Sequence, residues 1–358
     1  MPPSIATRSA GCCAAGRPEM TAAWPIEEGT FRLGDLAVHR GGVLADARLA
    51  WRAHGTLSAA RDNVVVYPTS YGAQHAELEW LIGPDGVLDP TRWFIVIPNM
   101  FGNGLSSSPS NTADWPALVT AWDNVGAQRR LLADTWGIER VHAVYGWSMG
   151  AQQAYHWAVA TPGAVGRIIV NCGSARTAVH NRVFLDALMA VLEAAPEHLG
   201  GGRFSAQPER ALHAFGRIYA GWAMSQDFYR AGLHLSALGA PDLATFLRTD
   251  WAERFARRRA EDLLAQLRSW DAGDIADHPR FGGDLGAALR SITARVLLLP
   301  GETDLYFRIA DNAAELPHLR HAVLRPIPSI WGHRAGNPAA NPEDAAFLRG
   351  AVRAWLEG

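Results

Sequence analysis

The 358-residue sequence has no lysine: all 33 residues counted as lysine or arginine are arginine. Without a lysine amine there is no Schiff base with a carbonyl substrate or with pyridoxal phosphate. A Walker-type phosphate loop, which ends on lysine, is excluded too. The bias reads as that of a GC-rich coding sequence. Cysteine is nearly as scarce. Cys12, Cys13 and Cys172 cannot frame a disulfide-stapled fold and fit a reducing compartment. No apolar run approaches the roughly 18 residues of a membrane helix. Residues 1–25 lack the roughly 7–15-residue apolar stretch of a signal peptide. They read as a disordered N-terminal extension, with Met20 an alternative start. The expected location is therefore cytoplasmic. A formal net charge of −2 points to neither nucleic acid nor a membrane surface as partner. There is no His-Glu-x-x-His and no paired Cys/His spacing, so neither metal nor cofactor is expected.

What is present is an alternation of strand and helix patterns, interrupted once. Segments 31–38 and 44–53 flank Gly41-Gly42 and predict a β-hairpin. Apolar strand patterns follow at 63–67, 93–98, 141–145, 167–172, 295–300 and 322–326. Helix patterns lie at 123–136, 149–160, 309–316 and 342–356. Continuous apolar strands separated by helices imply a mostly parallel sheet covered on both faces. Residues 177–285 show only helical patterns and loops, including an Arg-rich amphipathic helix over 253–267. Its Arg257-Arg258-Arg259 run reads as a solvated face. The expected organisation is an α/β core over 26–176 and 286–358, interrupted by a helical insertion over 177–285.

The strongest local signal is Gly146-Trp147-Ser148-Met149-Gly150, between a strand pattern and a helix pattern. In that context Gly-x-Ser-x-Gly is a nucleophile elbow. The glycines leave room for a strained turn that lifts the serine hydroxyl above the sheet edge. The Met149 N–H, first in the helix, faces the place where an oxyanion would form. Serine needs a base and the base an orienting acid, after later strands in the order Ser, acid, His. Asp304 follows strand 295–300 and His333 follows strand 322–326. Glu302 is the rival acid and His75 the runner-up base. The second oxyanion donor is expected in the loop 68–72, at the Ser70 N–H. Trp147 and Trp331 are candidates to line an acyl pocket.

These motifs, taken together, resemble the homoserine O-acetyltransferases and their relatives in the α/β-hydrolase superfamily. The resemblance runs over most of residues 30–357. It rests on Ile97-Pro98-Asn99, the loop 102–110, the elbow with Ala151-Gln152, Cys172-Gly173-Ser174-Ala175-Arg176, Gly301–Asp304 and Gly332-His333. It implies an α/β-hydrolase fold and a triad of Ser148, Asp304 and His333, with Ser70 as oxyanion donor. It also implies a helical lid with a tunnel to the serine, often a homodimer interface, and acetyl transfer from acetyl-CoA to homoserine. Two positions depart from the pattern. Met189 stands where an arginine would hold the homoserine carboxylate, and Arg334 stands where an aspartate would suit its ammonium. Arg182 and Arg176 are alternative partners for a carboxylate. A zwitterion needs both charges matched in a dry site. The expected function is thus acyl transfer through an acyl-serine on a small ester or thioester, acyl-CoA included, by a hydrolase or O-acyltransferase of a non-homoserine branch. The alternatives are homoserine O-acetyltransferase and a non-catalytic small-molecule-binding member of the fold.

Overall fold

The computed structural model describes residues 24–358. Most of the expected N-terminal extension, with Cys12, Cys13 and Met20, therefore lies outside the described residues. At its boundary the chain is already tied down: Trp24 Nε1 donates to His54 Nδ1 at 3.2 Å and Gly55 N to Pro25 O at 2.9 Å.

Strands β1 (Ile26–Ala37) and β2 (Val43–His54) form the expected antiparallel hairpin. Strands β3 (Val64–Val66), β4 (Phe94–Pro98), β5 (Val141–Trp147) and β6 (Val165–Asn171) follow in the order the sequence predicts. A short antiparallel pair, β7 (His198–Gly200) and β8 (Arg203–Phe204), stands apart. Strands β9 (Arg295–Leu299) and β10 (Ala322–Leu324) complete an eight-stranded sheet of order β1-β2-β4-β3-β5-β6-β9-β10. All neighbours from β4 to β10 are parallel.

The central strands are continuous apolar runs because both faces are covered. Successive residues point to opposite sides. Val65, Ile95, Ala143, Ile169 and Leu297 join one buried cluster, and their neighbours Val64, Phe94, Val144, Ile168 and Val296 join the other. The second cluster is covered by α1 (Ala121–Trp136) and α2 (Met149–Ala160). A box between Thr120 and Asp123 opens α1, and left-handed Gly137 ends it.

The insertion separates β6 from β9. It carries α3 (Val179–Glu193), α4 (Glu209–Ala223) and the short helices α5 (Gln226–Arg230), α6 (Leu233–Ser236) and α7 (Leu243–Phe246). A π-helical turn over Leu247–Ala252 then leads into α8 (Glu253–Ala256) and α9 (Ala260–Asp271). Helix α10 (Leu285–Arg290) returns the chain to the sheet, and α11 (Ile309–Glu315) and α12 (Pro342–Glu357) follow β9 and β10.

Two expectations need correction here. The insertion is not wholly helical, since β7 and β8 lie inside it. The single helix expected over 253–267 is broken at Arg257–Arg259, where Arg259 turns extended at ψ 133°. Gln207 holds the break open. Its side chain donates to Arg258 O at 2.6 Å and accepts from Ala260 N at 3.3 Å.

Candidate active site

Ser148 sits between β5 and α2 with φ 58° and ψ −128°, a conformation rarely held by a residue with a side chain. The flanking glycines make it possible. A Cβ on Gly146 would meet Gly150 O at 2.1 Å, and one on Gly150 would meet Pro68 O at 2.7 Å. The turn is anchored to the sheet by Ser148 N, which donates to Asn171 O at 3.0 Å.

The structure brings Ser148, His333 and Asp304 together from three strand ends. His333 Nε2 lies 2.9 Å from Ser148 Oγ, and His333 Nδ1 lies 2.7 Å from Asp304 Oδ2. All three side chains are buried. The other Asp304 oxygen accepts from Tyr306 N at 2.8 Å and Phe307 N at 3.3 Å, which fixes the carboxylate plane. Asn171 holds the histidine loop to the sheet by donating to Gly336 O at 2.7 Å. Thr303 ties that loop to the acid loop: its hydroxyl accepts from Gly332 N at 3.1 Å and donates to Ser329 O at 2.9 Å. Rings enclose the imidazole. Trp147 stacks on it at 5.0 Å, and Tyr306 and Phe307 approach at 4.8 and 5.6 Å.

Glu302 is exposed, and its carboxylate makes no hydrogen bond within the described protein. His75 bonds to Asn99 and does not line the cavity onto which Ser148 and His333 open. Cys172 lies beneath it, with a ligating atom within 4.8 Å of those of Asp304 and His333. The trio does not make a metal site: the two ring-to-carboxylate partners already bond each other. Burial, then the Asp304 charge, pushes the Cys172 thiol well up, so the thiolate a metal needs is disfavoured.

Ser70 lines the same cavity as Ser148, and Met149 follows Ser148 as the first residue of α2. Neither backbone N–H has an acceptor within the described protein. The Ser70 loop is pinned on both sides. Gln153 Nε2 donates to Thr69 O at 3.0 Å, and Met100 N donates to Thr69 Oγ1 at 2.9 Å. From the insertion, Gln266 Oε1 accepts from Gly72 N at 2.8 Å and Tyr71 OH donates to Leu263 O at 3.2 Å. Donors held this way need no reorganisation as charge develops.

A cavity of about 130 Å³ opens onto Ser70, Ser148 and His333. The insertion supplies Tyr219, Ala223, Trp251 and Phe255 to its wall. Trp147 and Arg334 line it. Met189, Arg182 and Trp331 do not, and these three assignments are corrected. Helix α3 turns Phe184, Leu185, Leu188 and Leu192 inward, and Met189 sits beside that stripe, packed against the core. Arg182 points outward to Asp271 at 2.8 Å. Trp331 is buried against Phe228, with ring centres 5.2 Å apart. Arg176 is structural, bonded to Asp274 at 2.8 Å and to Gly283 O at 2.8 Å. In the arginine run at 257–259, Arg257 and Arg259 are exposed as a solvated face requires, and Arg258 departs from that reading. Arg257 and Arg258 line the cavity, and Arg258 pairs with Glu77 and donates to Gly72 O at 2.8 Å. Arg254 is a cavity residue that sequence reasoning missed altogether.

The chain belongs to the α/β-hydrolase fold family, whose description, alpha/beta hydrolase fold, matches residues 79–329. Within that family it is similar to a probable esterase of Corynebacterium glutamicum, 35% identical over 85% of this chain and 88% of the relative. An ethyl acetate hydrolase of Pseudomonas veronii is 34% identical over the same shares. The solved structure of an acetyl esterase matches with a TM-score of 0.87 at 30% identity, over 93% of this chain and 97% of that one. Homoserine O-acetyl- and O-succinyltransferases are relatives at 26–31% identity. No described helix is long and apolar enough to cross a membrane.

Proposed function

We propose that this protein is a serine hydrolase of small, short-acyl esters. The observation that carries the reading is the Ser148–His333–Asp304 chain, at 2.9 and 2.7 Å, opening onto a cavity of only about 130 Å³. Pockets for drug-sized ligands run to roughly 300–1,000 Å³. The names of the two esterase relatives support the same class.

In this reading Ser148 Oγ attacks the ester carbonyl as His333 Nε2 takes its proton. Asp304 holds the ring in the tautomer that leaves Nε2 free and stabilises the imidazolium. The carbonyl oxygen becomes an oxyanion and accepts from the Ser70 and Met149 N–H groups. Collapse breaks the C–O bond, and His333 returns the proton to the departing alcohol. Water then repeats the attack on the acyl-serine, releasing the acid. The insertion acts as a lid over this chemistry. A cytoplasmic location belongs to the proposal, on the scarcity of cysteine.

Charge weighs against homoserine as acceptor. Met189, lying away from the cavity, gives no argument about substrate. The cavity itself is lined by arginines, and its one carboxylate, Glu77, is paired with Arg258. An ammonium would find no free anionic partner there.

The test is hydrolysis of p-nitrophenyl acetate, butyrate and octanoate, with fluorophosphonate labelling of the serine. Activity falling with chain length and label on Ser148 are expected. CoA release from acetyl-CoA that depends on homoserine would overturn the hydrolase assignment.

A further inference from the structure

The cavity carries in its wall several donors that have no acceptor within the described protein. The Arg334 guanidinium lines it with no carboxylate within 4.0 Å and no hydrogen-bond acceptor in the described protein. Two indole N–H groups in the same wall, Trp147 Nε1 and Trp251 Nε1, are buried without acceptors. So is the Ser70 hydroxyl. Trp251 is only 4% exposed and Ser70 only 2%. At the mouth, Arg254 and Arg257 are exposed and make no ion pair. The acceptors nearby already hold other partners through at least one oxygen. Glu77 pairs with Arg258, Asn337 Oδ1 accepts from Trp80 at 2.6 Å, and Asp250 accepts from Thr249 at 2.9 Å.

A buried donor without an acceptor is costly, and the half-buried Arg334 feels only Asp250 as a counter-charge, with no ion pair to it. Burial, then Arg254, pulls the Arg334 pKa down to about 10, with Asp250 partly opposing; the side chain still stays charged at neutral pH. The arrangement asks for an acceptor-rich, negatively charged ligand. Arg334 follows His333 directly in the chain, so such a ligand lies beside the reacting ester.

We propose that the substrate is an ester bearing a carboxylate, and that Arg334, with Trp251 in the same cavity wall and Arg254 at the mouth, forms the subsite that holds this carboxylate. The assignment rests on the ester-hydrolase reading above. It narrows the substrate to half-esters of small dicarboxylic acids or O-acylated hydroxy acids. Both present the same anion to the guanidinium, bidentately where geometry allows.

The experiment compares kcat/KM for monomethyl succinate against dimethyl succinate, and for O-acetylglycolate against its methyl ester. At least one anionic ester should exceed its neutral match by roughly tenfold or more, a preference that shrinks with added salt. The preferred pair tells whether the acyl or the alcohol part carries the charge. Arg334→Gln should lower the anionic-to-neutral ratio by roughly 10- to 100-fold, chiefly through KM, and Arg334→Lys should restore part of it. Arg254→Gln, at the exposed mouth, should lower it a few-fold. Neutral esters favoured in both pairs, or a ratio unmoved by Arg334→Gln, overturns the proposal. Loss of the hydrolase reading looks different: no ester is turned over, p-nitrophenyl acetate included, and Ser148 takes no label. Succinate binding measured by calorimetry still decides the subsite in that case, present in the natural protein and lost in Arg334→Gln, or absent from both.

Discussion

The sheet and the insertion meet at one cavity but reach it by different means. On the sheet side, Ser148, Asp304 and His333 stand on strand ends, each fixed by backbone hydrogen bonds or by a partner within 3 Å. On the insertion side, the side chains of Tyr219, Trp251 and Phe255 pack ring against ring and make no hydrogen bond within the described protein. Phe255 lies 4.7 Å from Tyr219, and Trp251 lies 6.0 Å from it. Directional bonds fix a reacting atom to a fraction of an ångström, whereas ring packing fixes volume and shape. Under the proposed hydrolase function, this difference would give bond-making to the sheet and substrate choice to the insertion.

The sharpest way to break that division is at the nucleophile. Ser148→Ala should lower kcat for p-nitrophenyl acetate by about 10⁴-fold or more. Stability should change little, because the residue lost is small. Residual turnover close to that of the natural protein would move the chemistry away from the sheet edge. The orienting acid comes next. Asp304→Asn keeps the shape and presents a donor to His333 Nδ1, which favours the wrong tautomer. A loss of about 10³–10⁴-fold in kcat is expected, with KM little altered.

The same division governed what could be read from the chain alone. The parallel strands are legible because burial on both faces leaves uninterrupted apolar runs such as 63–67 and 93–98. The elbow is legible because only glycine tolerates the approach of Gly150 O and Pro68 O. Asp304 and His333 are legible because strand C-terminal loops are few. The insertion offers no such cue. Arg257 and Arg258 fit the outer face of a helix over 253–267, and only the break held by Gln207 turns them to the cavity. Glu77, the partner of Arg258, is far away in sequence, so no local spacing announces the pair. The Met189 assignment failed for a related reason. No residue of α3 lines the cavity, so a gap-free count along the chain placed a substrate contact on a helix that only packs against the core.

A buried carboxylate under the sheet edge sharpens the comparison on stability. Glu315 accepts from Ala175 N at 2.6 Å, Tyr155 OH at 2.7 Å and Asn312 Nδ2 at 2.9 Å. Burial outweighs these bonds and pushes its pKa up to about 7. A folded-state pKa above the unfolded value favours folding at low pH, fully below about 4.5 and progressively less as pH rises through 7. The contribution lost is about 3 kcal/mol. Urea melts between pH 5 and 8 should show that decline in the natural protein and a flatter profile in Glu315→Gln. Equal slopes in both would assign the pH dependence to another group.

The smallest expected effect tests the insertion itself. Phe255 lines the cavity, is 8% exposed and touches none of Ser148, His333 or Asp304 through a hydrogen bond. Phe255→Leu keeps an apolar side chain but removes ring volume from the wall between Tyr219 and Tyr71. If the insertion sets substrate size, the added space should raise kcat/KM for p-nitrophenyl butyrate relative to acetate by roughly tenfold, since one or two methylenes in an apolar pocket are worth about 1–3 kcal/mol. The acetate rate should move much less than in either sheet-side variant, because the reacting atoms keep their hydrogen bonds. A drop in acetate turnover as large as that of Asp304→Asn, with the butyrate-to-acetate ratio unchanged, would mean that the rings of the insertion position the chemistry after all.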